Sequence, residues 1–219
     1  MKLQNGTRIA VIGGGPAGSF FALYLRRFSE EAGLQPEITV YQDRDFDGLG
    51  PKGCKGCAGV LSMSLLNNLS ELHLTLPNEI IQSQIDHYTV HSPYTSISIS
   101  NPEKGKDILS VYRGGGPRIS NYVPRISFDG WLLAQVRSQG IRVDDQRVTA
   151  IDVGENATIE AGERKTDYDL IVLASGVARR ITTNGIDYIP PATRTMALDE
   201  LYAGVDQVYS RLGTWRTHS

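Results

Sequence analysis

Arg8-Ile9-Ala10-Val11-Ile12-Gly13-Gly14-Gly15-Pro16-Ala17-Gly18 is the stretch that decides the fold of this chain. A short apolar run rich in β-branched residues feeds a glycine turn. The turn opens an apolar helical pattern from Ser19 to Ala32, carrying Phe20, Phe21, Leu23, Tyr24, Leu25 and Phe28 and stopped at Gly33. Strand, glycine turn and helix in that order are what a dinucleotide site requires. Gly13 permits the tight turn off the strand, Gly15 lets the main chain approach a pyrophosphate without a Cβ in the way, and Gly18 lets the helix pack close to the sheet. The anion then faces N–H groups at the helix N-terminus that lack an intrahelical acceptor. Gly14, Pro16 and Ala17 complete the loop. A bare G-x-G-x-x-G can arise by chance in a chain with 23 glycines among 219 residues, so the weight lies on its context near the N-terminus, after a strand and before a helix.

Glu37-Ile38-Thr39-Val40-Tyr41 reads as a second strand, parallel to the first and reached through the crossover helix. Its end should meet an adenosine ribose, where an acidic residue normally accepts the hydroxyl hydrogen bonds. Here the aligned slot holds Gln42, which accepts through its amide oxygen without charge assistance, and Asp43 follows it. Asp43 takes the role if the strand end shifts by one residue. Arg44 is placed either against the adenine or a phosphate, or in solvent.

The bulk numbers describe a globular chain with ample material for a core. With 22 basic and 24 acidic residues the formal charge is -2, which implies no broad attraction to nucleic acid or to an anionic membrane. The apolar runs are too short to cross a bilayer and the N-terminus lacks a signal peptide's apolar core, so the cytoplasm is the expected location. Peripheral membrane contact stays open.

Two cysteines sit in Asp47-Gly48-Leu49-Gly50-Pro51-Lys52-Gly53-Cys54-Lys55-Gly56-Cys57-Ala58-Gly59-Val60, a loop too rich in glycine for helix or regular strand. The C-x-x-C has three readings: a redox dithiol, half of a metal site, or small residues in a crowded turn. A structural zinc wants four ligands, no second C-x-x-C exists, and His73, His87 and His91 lack partner spacing, so no metal is expected. The motif does not open a helix after a strand, as a thioredoxin-like dithiol would. The favoured reading is a backbone-led loop against a flat cofactor ring, with Cys54 and Cys57 as the catalytic candidates beside it.

The glycine turn, Gly13 to Gly18, followed by Lys55-Gly56-Cys57-Ala58-Gly59-Val60-Leu61-Ser62, resembles the flavoproteins of the geranylgeranyl reductase type, relatives of the aromatic hydroxylases. The resemblance implies an α/β fold: an FAD/NAD(P)-binding Rossmann-like parallel sheet with an inserted antiparallel substrate sheet. It implies FAD as cofactor and NAD(P)H as a candidate electron donor. It also places Cys57, Ala58 and Gly59 at the flavin, Arg125 of Arg125-Ile126-Ser127-Phe128-Asp129 on FAD, and a backbone group near Val148 on the adenine. In Tyr168-Asp169-Leu170-Ile171-Val172-Leu173-Ala174-Ser175-Gly176 the Ser175-Gly176 turn takes the place of the Asp-Gly pair that approaches the pyrophosphate.

Between these markers Leu61 to Leu72 has helical leucine spacing. Period-two stretches near Ile85 to His91, Thr95 to Ser100 and Ile108 to Arg113 point to an inserted antiparallel sheet. Ser127 or Asp129 suits the start of a helix running to Gly140. Ile141-Arg142-Val143 and Arg147 to Ile151 read as a pair continuing the nucleotide sheet, 157 to 161 and 163 to 169 as a hairpin, and Tyr168 to Gly176 as a buried strand. The domain expectation is 1–76 with 121–180 for the FAD-binding domain and 77–120 with 181–219 for a partial substrate or cap lobe.

Members of the resembled family continue to a Gly-Asp loop that holds the flavin's ribityl and phosphate groups. The chain is therefore expected to be truncated. The leading functional expectation is an FAD-dependent oxidoreductase that delivers a hydride to a C=C bond of an isoprenoid-like small molecule. A flavin monooxygenase and a non-catalytic nucleotide-binding remnant are the alternatives.

Overall fold

The computed structural model describes residues 2–46, 59–85, 87–100, 108–113, 126–154, 156–176 and 181–189, together with Gly204, Asp206, Gln207 and Ser210. In chain order the elements are β1 (Arg8–Ile12), α1 (Pro16–Glu31), β2 (Glu37–Tyr41), β3 (Val60–Leu61), α2 (Met63–Glu71), a 3-10 turn (Asn78–Ile80), β4 (Ile81–Ile85), β5 (His87–His91), β6 (Ser96–Ser100) and β7 (Ile108–Val111). They continue with α3 (Phe128–Ser138), β8 (Arg142–Asp144), β9 (Val148–Val153), β10 (Ala157–Ala161), β11 (Arg164–Tyr168), β12 (Leu170–Leu173) and β13 (Thr182–Asn184). Contacts divide the chain into two compact units, Met1–Phe46 with Asp129–Thr195, and Asp47–Phe128 with Met196–Ser219. The fold is α/β, with a parallel Rossmann-like sheet and additional antiparallel sheets. Among the described residues no helix is long and apolar enough to cross a membrane.

The first unit is layered. Its sheet has the order β12-β1-β2-β8, with β1 parallel to both β12 and β2. Ile9, Ala10 and Val11 are fully buried because both faces of β1 are covered, which is why the strand reads as an unbroken apolar run. Val11 faces α1, while Ala10 and Ile12 join Tyr41 in a core with Val148, Ile151, Ile159, Ala161 and Tyr168. That second layer is a sheet of order β11-β10-β9-β13, antiparallel except for β13 against β9.

Two sequence expectations change here. β8 does continue the nucleotide sheet, pairing in parallel with β2, but β9 leaves it for β10. Only residues 145–147 separate β8 from β9, far too few for the crossover of a dozen or more that a parallel neighbour needs. β12 is half-buried along its length rather than buried, since it is an edge strand of the described sheet.

In the second unit β7 lies between β3 and β4, antiparallel to each. The strand expected near Ile85 to His91 is β5, which forms a hairpin with β6, and β4, which the alternation does not reveal, precedes it and pairs with β7. Pairing Tyr88 with Ile99 and Val90 with Ile97 gathers the apolar side chains on one face of that hairpin, where all four are exposed. α2 is shorter than the leucine spacing implies. Ser62 caps it by accepting from Leu65 N–H, and Leu61 belongs to β3.

Asp144 joins the layers of the first unit. Its carboxylate, only 5% exposed, accepts from Arg164 Nη2 at 2.8 and 3.1 Å, from Arg142 Nη2 at 3.3 Å and from Gln146 N–H at 3.0 Å. Burial alone would raise its pKa, but the Gln146 N–H and the two guanidinium groups outweigh burial and hold it below the usual value. A depressed folded pKa stabilises the protein above the unfolded value near 4 and ceases to do so as pH falls through the folded one. Asp144→Asn should therefore cost about 1–2 kcal/mol at pH 7, the exposed arginines limiting the figure. Denaturant melts from pH 7 to pH 2 should show the gap between variant and wild type closing below about pH 4.

Candidate cofactor site

The turn between β1 and α1 is built from glycines with different constraints. Gly13 has φ +105°, and a Cβ there would stand 2.4 Å from the Ala174 carbonyl oxygen. Its N–H donates to the Tyr41 carbonyl at 2.9 Å. At Gly18 a Cβ would come 1.8 Å from the Gly13 carbonyl oxygen, so the first turn of α1 lies directly on the strand-to-loop junction. Gly15 differs. It caps α1 in an extended conformation with no side-chain hydrogen bond, and a Cβ there would meet nothing within 4 Å. The backbone is thus open at Gly15 while it is sealed at Gly13 and Gly18. Pro16 opens the helix with no N–H to satisfy, and the N–H groups of Ala17 and Gly18 have no acceptor among the described residues.

Two contacts that sequence reasoning missed hold the loop from behind. Gly14 N–H donates to Gln42 Oε1 at 2.7 Å, and Ser19 Oγ, fully buried, donates to the Gly14 carbonyl at 2.9 Å. Gln42 Nε2 also donates to the Arg44 carbonyl at 3.1 Å. The amide oxygen expected to meet a ribose is therefore engaged within the loop. The carboxylate at this strand end is Asp43, 46% exposed and 3.9 Å from Arg147 Nε. Gln42 alone in sequence carries no sign of this partner, which lies 28 positions upstream.

Ser175 follows β12 at the side of Gly13, and its buried hydroxyl has no hydrogen-bond partner among the described residues. Gly176, next to it, has φ +62°. Val148 is buried in the core between the layers, and Arg44 is exposed. Gly59 belongs to the second unit, where φ +66° and a Cβ position 1.9 Å from the Val111 carbonyl oxygen exclude any other residue. Cys54, Cys57, Ala58 and Arg125 lie outside the described residues. Among the described residues no three His, Cys, Asp or Glu side chains are grouped to hold a metal.

The turn combines an open main-chain approach at Gly15 with helix-start N–H groups and an adjoining hydroxyl that have no partner among the described residues, donors of the kind an anion accepts from. A family model described as pyridine nucleotide-disulphide oxidoreductase matches residues 7–203. The chain belongs to the pyridine nucleotide-disulphide oxidoreductase family. Membership in that family, a family of FAD-dependent oxidoreductases, indicates FAD as the cofactor.

Among solved structures, FqzB is similar over 80% of this chain and 37% of its own, at 14% identity and TM-score 0.51. The peptidyl tryptophan dihydroxylase QhpG, essential for tryptophylquinone cofactor biogenesis, is similar over 78% of this chain and 32% of its own, at 22% identity and TM-score 0.49. The p-nitrophenol 4-monooxygenase PnpA from Pseudomonas putida DLL-E4 is similar over 81% and 42%, at 14% identity and TM-score 0.49. The chain thus spans less than half the length of each of these three. No curated protein sequence matches it.

The contrast between the glycines gives a paired test. Gly15→Ala should leave thermal stability in the absence of nucleotide nearly unchanged while weakening FAD binding at least about tenfold. Gly18→Ala should lower stability by about 2–4 kcal/mol, since backbone must move to admit the methyl group. Melting curves and fluorescence titration with FAD, made on both variants, read the two effects separately.

Proposed function

We propose that this chain carries the dinucleotide-holding part of an FAD-dependent oxidoreductase of the geranylgeranyl reductase type. The observation that carries the reading is the turn in which Gly13 and Gly18 are closed by backbone contact and Gly15 is left open beside the orphaned Ser175 hydroxyl. Gly13, Gly14, Gly15, Pro16, Ala17 and Gly18 hold the diphosphate, with Ser175 and Gly176 completing the cradle. Asp43 accepts the ribose hydroxyls in this reading, Gln42 braces the loop, and Arg44 and the backbone near Val148 border the adenine. Cys57, Ala58, Gly59 and Arg125 are assigned to the flavin from the family resemblance, and Cys54 or Cys57 supplies a thiol near the ring.

Bound FAD supplies two-electron hydride chemistry, and the chain's own residues bind it, orient it and exclude water. The substrate class is a small isoprenoid or lipid with a C=C bond, and NAD(P)H is the electron donor. This class rests on the family resemblance carried by Gly13 to Gly18 and Lys55 to Ser62.

Purified full chain titrated with FAD should acquire a flavin absorption band, bleach anaerobically on addition of NADPH and recover its colour with an isoprenoid alkene. A preparation that binds ADP yet never retains FAD would overturn the reading in favour of a nucleotide-binding remnant. NADPH oxidation with oxygen uptake stimulated by an aromatic compound would instead assign a monooxygenase.

A further inference from the structure

The first unit holds a polar pocket on the face of its parallel sheet turned away from α1. Its lining runs along β2 from Glu37 to Tyr41, whose carbonyl accepts from Gly13 N–H, so it reaches the glycine-turn end of the strands on the face that packs against β11. The space, about 110 Å³, lies where β2 and β11 face each other across the two layers. Deeper between those layers the side chains are apolar: Ala10, Ile12 and Ile159. Nearer the rim the alternation on both strands places polar groups inward, Thr39 and Tyr41 from β2 against Thr166 and Tyr168 from β11.

Three guanidinium groups converge on this pocket. Arg8, Arg142 and Arg164 line it with Glu37, while the Asp144 carboxylate sits on Arg142 and Arg164 and the Asp169 carboxylate accepts from the Arg8 backbone N–H at 2.7 Å. Asp144 uses Nη2 of Arg164 and Nη2 of Arg142, which leaves the remaining N–H groups of both forks uncommitted among the described residues. Arg8 makes no ion pair among the described residues. Its guanidinium stands 5.4 Å over the Tyr168 ring, held by the π face rather than by a carboxylate. The hydroxyls of Tyr41 and Tyr168 share one hydrogen bond of 2.8 Å. One O–H is consumed by that bond, and the pair keeps the other as a donor. Burial, then the hydrogen bond with Tyr168, push the Tyr41 phenol upward, so it stays neutral at physiological pH.

We propose that this pocket binds a phosphate group, either free phosphate or the end of a small phosphomonoester, through the guanidinium groups of Arg8, Arg142 and Arg164 above the Tyr41–Tyr168 hydroxyl pair. Guanidinium forks and hydroxyl donors converging on one space suit a tetrahedral oxyanion, whose oxygens accept several N–H and O–H bonds at once. The volume admits a phosphate group. The site differs from the glycine turn in lying on the sheet face opposite α1.

The test is titration of the full chain with inorganic phosphate, ethyl phosphate and acetate at fixed ionic strength, followed by 31P NMR line broadening and calorimetry. Saturable phosphate binding is expected, weakened at least about tenfold by Arg8→Gln, whose side chain takes no part in the Asp144 network. Gly15→Ala should leave phosphate binding unaltered. Tighter binding of ethyl phosphate would assign a phosphomonoester ligand, and tighter binding of inorganic phosphate the free ion. The proposal is overturned if wild-type protein binds phosphate no better than acetate, if Arg8→Gln with unchanged circular dichroism and melting temperature binds as wild type does, or if ADP displaces the bound phosphate.

Discussion

The close pass of the first helical turn over the strand-to-loop junction is the constraint on which the first unit depends. With 1.8 Å between a Cβ position at Gly18 and the Gly13 carbonyl oxygen, no side chain of any size fits there. The helix can then lie flat on β1 and β2 through Ala22 and Leu23, which bury themselves against the sheet. Its N-terminus points at open backbone around Gly15 instead of at packed side chains. What the turn presents is main-chain geometry, and the residues around it serve to hold that shape. Gln42, Ser19 and the carbonyl of Tyr41 do so through hydrogen bonds to Gly14 and Gly13.

A second set of contacts holds the two layers together on the other face of the sheet. The apolar core between β1 and the β9–β11 sheet contributes most of the burial, at roughly 25 cal/mol per Å² of apolar surface removed from water. Polar groups finish the edge. Tyr41 meets Tyr168 edge to face, with ring planes at 86°, and their hydroxyls bond, while Asp144 binds Arg164 across the layers. These contacts fix the register of the small sheet over the large one, which apolar packing alone specifies weakly.

Local pattern was legible in the sequence and pairing was not. β2 runs over Glu37–Tyr41 as the β-branched run implies, α1 stops before the glycine expected to end it, and β10 and β11 flank the Gly162-Glu163 turn. All of these depend on neighbours a few positions apart. Period-two alternation says that a segment is a strand without saying whose partner it is. That is why β9 reads from sequence as part of the parallel sheet although it pairs with β10. The site shows the same division. The glycines could be read from spacing, whereas the engagement of Gln42 by Gly14, the orphaned Ser175 hydroxyl and the tie between Asp144 and Arg164 depend on contacts across 20 or more positions.

The pairing of β1 with β12 has a consequence for synthesis. Ile9 lies beside Leu170, so the central strand of the parallel sheet waits for nearly the whole of its unit to leave the ribosome before one of its edges is covered. Its other layer waits as long, because Ile159 and Tyr168 lie in the same late stretch. Until then only α1 and β2 are there to cover this strand, a dependence on distant segments of the kind that slows sheet closure.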